Sequence, residues 1–328
     1  MDGRNVFVTG GAGYVGAVLV PELLSIGCHV TVYDLMIYGE DVLSKHPNLR
    51  VVKGDLRDEE LLGNVLPGHD SVIHLACISN DPSFELNPYL GRSINLDAFR
   101  PLVINSRNHG IERFIYASSS SVYGVKEETD VHEDMSLEPL TDYSRHKAEC
   151  EKILLEYEST DFTTVIIRPA TVCGYSPRQR LDVVVNILTN LAFHNRRITV
   201  FGGAQLRPNI HITDMINCYT AILFADSQKV AGNIYNVGYE NQSVQQIAET
   251  VKSIIGDDVE LINTPTDDNR SYHISSEKIK TDLGFEARCD IKDAVAELRE
   301  AFQMGKLPDS LTDEKYYNIK RMQALRLT

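Results

Sequence analysis

The sequence predicts an α/β fold, a doubly wound parallel sheet of the Rossmann type with a smaller C-terminal α/β domain. Short β-branched apolar runs alternate with segments of helical periodicity, which is typical of a parallel sheet covered on both faces. A glycine-spaced turn follows the first run, at the position where open α/β folds bind ligands. The predicted strands cover residues 5–9, 29–33, 50–53, 71–76 and 113–117.

The glycine turn separates the first strand, residues 5–9, from a segment over 17–24 with apolar residues at helical spacing. Missing side chains permit a tight turn and the close approach of a pyrophosphate, whose charge meets the free N–H groups of the helix N-terminus. Three glycines alone also fit a purely structural turn. We expect a dinucleotide to bind at Gly10, Gly13, Tyr14, Val15 and Gly16.

Asp34 follows the second predicted strand, about 20 residues past the glycines, where a carboxylate binds the adenosine ribose of a dinucleotide. The same carboxylate repels the 2′-phosphate of NADP. Residues 35–44 contain no Arg or Lys that would receive that phosphate. NAD is therefore the expected cofactor.

Composition excludes several classes of protein. The chain has 328 residues, of which 43% are hydrophobic, so it can build a sizeable core. A formal net charge of -14 argues against binding to nucleic acid. The six cysteines form no C-x-x-C pair, and no apolar run reaches the ~18 residues of a membrane span. We expect a cytoplasmic protein with no membrane partner.

The strand over residues 113–117 delivers serines 118–121 to the C-terminal edge of the sheet. A helix predicted from near Tyr143 to Tyr157 places Tyr143 and Lys147, four residues apart, on one face. An ammonium group and an oxidised nicotinamide both stabilise a phenolate, so Tyr143 can accept a hydroxyl proton while hydride leaves the same carbon. A serine hydroxyl would stabilise the developing carbonyl oxygen.

The same tyrosine–lysine spacing occurs a second time, at Tyr316 and Lys320. This copy follows neither a strand edge nor a serine run. We interpret it as a solvated helix face.

Together these motifs resemble the extended short-chain dehydrogenases/reductases of the NAD-dependent epimerase/dehydratase family, which remodel nucleotide-activated sugars. The resemblance covers most of the chain. It implies that Ser119, three residues before Val122, is catalytic together with Tyr143 and Lys147, and that Lys147 also binds the nicotinamide ribose. Further cofactor contacts are implied for Asp55, Leu56, Leu75, Ala76 and Asn95.

The resemblance also implies how the chain is divided. A strand ending in Arg168-Pro169 precedes the turn into the C-terminal domain, and residues 234–238 resemble a strand that returns to the main sheet. We expect an NAD-binding domain over 1–170, with 210–240 returning to it. Residues 171–209 and 241–328 would form the nucleotide-sugar domain.

Substrate contacts are implied for Thr171, where epimerases commonly have asparagine, for Arg207 in an R-x6-D segment, and for Arg270. Arg178 and Arg180 follow a turn near the expected nucleotide pocket. Their planar guanidinium groups suit phosphate, although a solvated position is the equal alternative.

The positions at which this sequence differs from the family pattern indicate which reaction it catalyses. Family dehydratases have an Asp-Glu pair directly after the catalytic Ser/Thr, where this chain has Ser120 and Ser121, so C4 epimerisation is the leading interpretation. Ser79 and Asn80 should face the sugar, and this polar loop keeps a 4-dehydrogenase or 4-ketoreductase open. Dehydration through other residues also stays open. A non-catalytic NAD sensor is the alternative from another class, but such sensors commonly lack the Tyr–Lys pair.

A helix is predicted over residues 88–108, and Pro101 within it should kink or restart it because proline removes a backbone donor. Relatives use this helix and the Tyr143 helix to form a four-helix interface. The resemblance therefore implies a homodimer.

Overall fold

The structure is a computed structural model and describes residues 3–126, 128, 130–266 and 273–327. The strands are β1 (Asn5–Thr9), β2 (His29–Asp34), β3 (Leu49–Lys53), β4 (Ser71–His74), β5 (Arg113–Ala117), β6 (Thr163–Pro169), β7 (Thr171–Cys173), β8 (Arg197–Phe201), β9 (Leu206–His211), β10 (Asn233–Val237), β11 (Glu240–Ser243) and β12 (Glu260–Thr264).

The helices are α1 (Gly16–Ser25), α2 (Glu59–Val65), α3 (Asp81–Glu85), α4 (Pro88–Arg92), α5 (Phe99–Asn108), α6 (Asp142–Leu155), α7 (Val184–Asn195), α8 (Ile212–Phe224), α9 (Ser227–Val230), α10 (Val244–Ile255), α11 (Glu277–Leu283), α12 (Ile291–Gln303) and α13 (Asn318–Leu325). Short 3-10 turns cover Ser120–Tyr123 and Glu314–Tyr316. None of these described helices is long and apolar enough to cross a lipid bilayer.

Seven parallel strands form the central sheet, in the order β10-β6-β5-β4-β1-β2-β3. The strand order reverses beside β1, which pairs with β2 on one side and with β4 on the other. In open α/β sheets this reversal leaves a crevice at the carboxyl ends of the strands, and ligands bind there. The predicted fold class is confirmed.

Both faces of the sheet are covered because its inner strands are apolar on both sides. Val6, Val8 and Val32 pack in one cluster with residues of α1 and α8. Phe7 and Phe114 belong to a second cluster that includes residues of α2, α5 and α6. The sheet edge that bears the crevice therefore stands on a rigid core.

A second layer lies after β6. Strands β7, β9 and β11 form a three-stranded sheet, β8 pairs with β12, and α7, α10 and α12 share an apolar cluster. Strand β10 pairs in parallel with β6 and adds the seventh strand to the main sheet, as the sequence predicts for this segment. The division into two domains stays a prediction.

The helix predicted over 88–108 is interrupted, which confirms the effect expected of Pro101. Helix α4 passes into a π-helical turn over Ser93–Asp97, and α5 restarts at Phe99. Pro101 then lies in the first turn of α5, where a backbone N–H would have no acceptor within the helix.

Candidate active site

Two adjoining cavities, of about 350 Å³ and 200 Å³, open at the carboxyl ends of the strands. The larger one runs from the glycine turn after β1, past the end of β2 and the loop after β4, to the serines after β5. The smaller one is lined by Leu140, Thr141 and Arg207. Both cavities share walls that include Asn80, Asp81, Ser121, Thr171 and Arg180.

The glycine turn requires glycine at two positions because a side chain there would collide with neighbouring backbone. Gly10 has φ +72°, and a Cβ there would lie 2.6 Å from the backbone nitrogen of Ala76. A Cβ on Gly16, the first residue of α1, would lie 2.5 Å from the carbonyl oxygen of Gly11. Gly13, Tyr14, Val15, Leu75 and Ala76 complete this wall of the larger cavity. Gly16, the first residue of α1, lines this cavity, and the N-terminus of a helix suits a phosphate.

Asp34 lies at the end of β2 and lines the same cavity. Its carboxylate accepts hydrogen bonds from the backbone N–H groups of Ala12 (3.0 Å) and Met36 (2.7 Å). Burial raises the pKa of this carboxyl, and both N–H groups and the charge of Arg178 act against that rise. Leu56 also lines the cavity, whereas Asp55 pairs with Arg57 at 2.6 Å and is not part of the wall.

The structure brings the three predicted catalytic residues to one end of the larger cavity. Helix α6 begins there because the Thr141 and Ser144 side chains form a reciprocal cap. Lys147 is buried, donates to the carbonyl oxygen of Ala117 at 2.6 Å, and has its Nζ 5.9 Å from the centroid of the Tyr143 ring. Ser119 Oγ lies 2.8 Å from Ser121 Oγ.

Burial raises the pKa of Tyr143 well above its ordinary value, and the charges of Cys77 and Asp81 add to that effect. Arg180 and the hydrogen bond from Ser119 act in the opposite direction. Burial thus disfavours the phenolate form of Tyr143. A positive ring beside it would favour the phenolate.

A buried ion pair that sequence reasoning missed fixes the serine run. Ser118 Oγ donates to Glu151, whose carboxylate pairs with Arg168 at 2.7 Å, and both charged side chains are 3% exposed. Arg168 also donates to the Tyr123 hydroxyl at 2.7 Å. Ser118 is thereby held in place by the ion pair, and both Ser118 and Ser119 line the larger cavity. In the sequence, the available sign of this ion pair was Arg168 in the Arg-Pro end of β6.

The predicted substrate residues divide between the two cavities. Thr171 and Arg180 line both, and Arg207 lines the smaller one. Arg180 is paired with Asp182 at 2.6 Å. Arg178 is buried in the wall of the larger cavity, so a solvated position is wrong for it. Arg270 lies outside the described residues.

The loop after β4 is more constrained than its polarity indicates. Ser79 lines the larger cavity and Asn80 lines both. Asn80 has φ +70°, and its side chain accepts from the Ser83 backbone N–H at 2.9 Å, capping α3. Asn95, expected near the ribose, instead uses its amide to bond the backbone of Ile78 at both N and O, at 2.8 and 2.9 Å. Asn95 therefore shapes this loop from behind the cavity wall.

The C-terminal segment supplies residues that sequence reasoning did not place. Tyr316 is 4% exposed and packs in a cluster with Leu298 and Phe302, so the interpretation of its Tyr–Lys spacing as a solvated helix face is wrong. Asn318, the first residue of α13, lines the larger cavity. Its amide donates to Ser79 Oγ at 2.9 Å and accepts from Arg178 at 2.6 Å. No local pattern marks this asparagine.

Known proteins share this geometry. The model of the NAD dependent epimerase/dehydratase family matches residues 6–238. A dTDP-glucose 4,6-dehydratase from Streptomyces niveus is 27% identical over 323 residues, 91% of this chain and 93% of that protein. The uncharacterised UDP-glucose epimerase YtcB of Bacillus subtilis is 32% identical over 268 residues, 77% of this chain and 82% of that protein.

A solved structure extends the comparison to bound ligands. MoeE5 in complex with UDP-glucuronic acid and NAD superposes with a TM-score of 0.82 at 25% identity, over 92% of this chain and 99% of that one. The relatives include both a dehydratase and an epimerase. They agree on fold and cofactor and divide on the reaction.

Proposed function

The chain belongs to the NAD-dependent epimerase/dehydratase family, and on that premise we propose that it is a nucleotide-sugar 4-epimerase. The pair Ser120 and Ser121 carries this proposal. Dehydratases of the family have an acid and a base at these two positions, and this chain has two hydroxyl groups there. Ser120 is buried and lines the larger cavity, and Ser121 lines both cavities.

Three residues perform the proton chemistry in this proposal. NAD, when bound, accepts a hydride from the sugar carbon and later returns one to the opposite face. Tyr143 Oη takes the proton of the C4 hydroxyl and gives it back after the sugar has turned. Lys147 keeps a positive charge near that oxygen, and Ser119 Oγ donates to the developing carbonyl oxygen.

Substrate binding is assigned to the smaller cavity and its shared walls. Arg180 and Arg207 are the cations of the described residues there, and they would bind the diphosphate of the nucleotide sugar. Thr171, Ser79 and Asn80 would contact the sugar. Because the two cavities adjoin, a keto sugar has space to turn while its diphosphate stays bound.

A dehydratase is the second candidate, and a carboxylate favours it. Asp81 lines both cavities and accepts from Thr141 Oγ1 at 2.5 Å. Of the other carboxylates in the described walls, Asp34 lies at the end of β2 and Asp182 is paired with Arg180. Among the described wall residues, Asp81 is therefore the carboxylate that would act as acid or base in a dehydration.

Incubation of the enzyme with a panel of nucleotide sugars in deuterated water separates the reactions. An epimerase gives a C4 epimer of unchanged mass without deuterium at carbon and without net consumption of NAD. A dehydratase gives a product lighter by one water that carries deuterium. Stoichiometric NADH identifies a 4-dehydrogenase instead, and either result contradicts the proposed epimerase.

We further propose that the protein is a homodimer, in the cytoplasm. Tyr89 in α4 is 88% exposed, and Leu86 and Ile104 nearby along the chain are 41% and 37% exposed. Tyr89 and Ile104 belong to the segment over 88–108, which the family resemblance implies is buried against a second subunit, and Leu86 lies just before it. Sedimentation velocity should give a dimer, and Tyr89→Asp should shift it toward monomer; a monomeric native chain contradicts the proposal.

A further inference from the structure

Arg178 is a buried charge with few partners. It is 5% exposed, its Nη2 donates to Asn318 Oδ1 at 2.6 Å, and its guanidinium carbon lies 3.4 Å from the centroid of the Tyr38 ring. Its Nε has no hydrogen-bond acceptor, and no carboxylate of the described residues lies within ion-pairing distance. Burying an unpaired charge is costly, so a missing partner is expected.

Other buried arginines show what a settled guanidinium looks like in this protein. Arg168 has the Glu151 carboxylate at 2.7 Å. Arg113 donates to three carbonyl oxygens near the end of α8 and to a serine hydroxyl, at 2.6 to 2.8 Å, although its Nε, like that of Arg178, has no acceptor. Neither of these two residues lines a described cavity. Arg178 has one amide oxygen and the Tyr38 side chain as partners and does line a cavity, so an anionic partner is expected there.

The position of Arg178 indicates which anion this is. Its loop lies against the glycine turn, because Tyr14 Oη donates to the Gly174 carbonyl at 2.8 Å and Ser176 Oγ donates to the Tyr14 carbonyl at 2.8 Å. Burial raises the pKa of Asp34, at the end of β2, and the positive charge of Arg178 acts against that rise. On its other side Arg178 is linked to Ser79 through the amide of Asn318. This is the middle of the cofactor cavity.

We infer that Arg178 binds the pyrophosphate of NAD from the side opposite the glycine turn. The turn and α1 would hold the phosphates with backbone N–H groups, and Arg178 would supply the positive charge that those groups lack. Tyr38 and Asn318 are positioning residues, which keep the guanidinium plane fixed. From the sequence we expected Arg178 to bind the substrate. Arg180 and Arg207 line the smaller cavity, and Arg178 does not.

The inference rests on the NAD dependence of the family and not on the proposed epimerisation. Calorimetry on the full chain should therefore compare NAD and ADP, which carry the pyrophosphate, with adenosine, which does not. We expect Arg178→Met to weaken NAD and ADP by ~10- to 150-fold, the scale of lost charge-assisted hydrogen bonds. Adenosine should change less than about threefold, and Arg197→Met on the surface should change none of them.

A second variant covers the case in which Arg178→Met does not fold. Asn318→Asp places a carboxylate on the guanidinium, so it should weaken NAD and ADP while sparing adenosine and leaving the thermal midpoint of the protein unchanged or higher. Equal losses for adenosine and NAD overturn the inference. Unchanged NAD affinity also overturns it, as does a loss confined to nucleotide sugars. All these outcomes are measured as binding constants, so the test of the inference does not depend on which sugar reaction the enzyme performs.

Discussion

Two segments of this chain have a tyrosine four residues before a lysine, and they do different work. Tyr143 and Lys147 both belong to α6, so the spacing puts them on one face above the end of β5. Tyr316 ends a 3-10 turn and Lys320 belongs to α13, where its Nζ lies 4.1 Å from the centroid of the Tyr317 ring. The spacing pairs side chains only when one continuous helix contains both.

The largest difference between the segments should appear in turnover. Tyr143→Phe removes the oxygen that accepts the substrate proton, and we expect kcat to fall by ~10²- to 10⁴-fold with NAD binding retained. Tyr316→Phe removes a hydroxyl outside both described cavities and should leave kcat within about twofold. Steady-state rates with the identified sugar check this, and equal losses would show that the wrong copy had been assigned the chemistry.

For the stability of the protein we expect the opposite order, with a larger effect at Tyr316 than at Tyr143. Tyr316 is 4% exposed and fills a cluster with Leu298 and Phe302, so Tyr316→Ala should lower the free energy of unfolding by ~3 to 5 kcal/mol. Tyr143→Phe keeps the ring and should change it by less than about 1 kcal/mol. Urea unfolding followed by circular dichroism measures both. A stable Tyr316→Ala protein would mean that the cluster does not hold the C-terminal segment.

Cofactor choice should depend on neither tyrosine. Asp34→Ala removes the carboxylate expected to bind the ribose and repel a 2′-phosphate, and should narrow the preference for NAD over NADP by ~1 to 3 kcal/mol. Tyr143→Phe and Tyr316→Phe should both keep the full preference. Equal affinity of the unmodified protein for the two cofactors, measured by calorimetry, would contradict the role of Asp34.

The smallest expected effect is a shift in titration. Burial raises the pKa of Tyr143 and of Tyr316, so neither should ionise below the ordinary range of tyrosine near 10 in the protein without cofactor. We expect the positive nicotinamide ring to bind beside Tyr143 and not beside Tyr316, and to lower the pKa of Tyr143, so one tyrosinate should appear at lower pH when NAD is added. Ultraviolet difference spectra record this, and Tyr143→Phe must abolish the shift.

From the sequence we could predict those parts of the site that depend on residues close together along the chain. Gly10 follows β1, Asp34 ends β2 and Ser119 comes two residues after β5, so the alternation of strand and helix was enough to bring them to one edge. Tyr143 and Lys147 needed only the periodicity of one helix.

Contacts between distant segments could not be predicted. Arg178 meets Asn318 across 140 residues, and no periodicity links the two. Asn95 was expected near the cofactor ribose, and nothing in the sequence indicated that its amide bonds both the N–H and the carbonyl of Ile78. The Tyr316 segment is polar in sequence, and only its packing against α12 buries it.

The bond between Asn318 and Ser79 has a consequence for the order of synthesis. These residues are 239 positions apart, and a ribosome adds about 5–20 residues per second, so the loop after β4 waits roughly 10 to 50 s for its partner. During that time the glycine turn and Asp34 already exist on the nascent chain without the opposite wall. A nucleotide that meets the nascent chain would contact only one wall of the cleft. Stable binding would begin only after α13 has been translated.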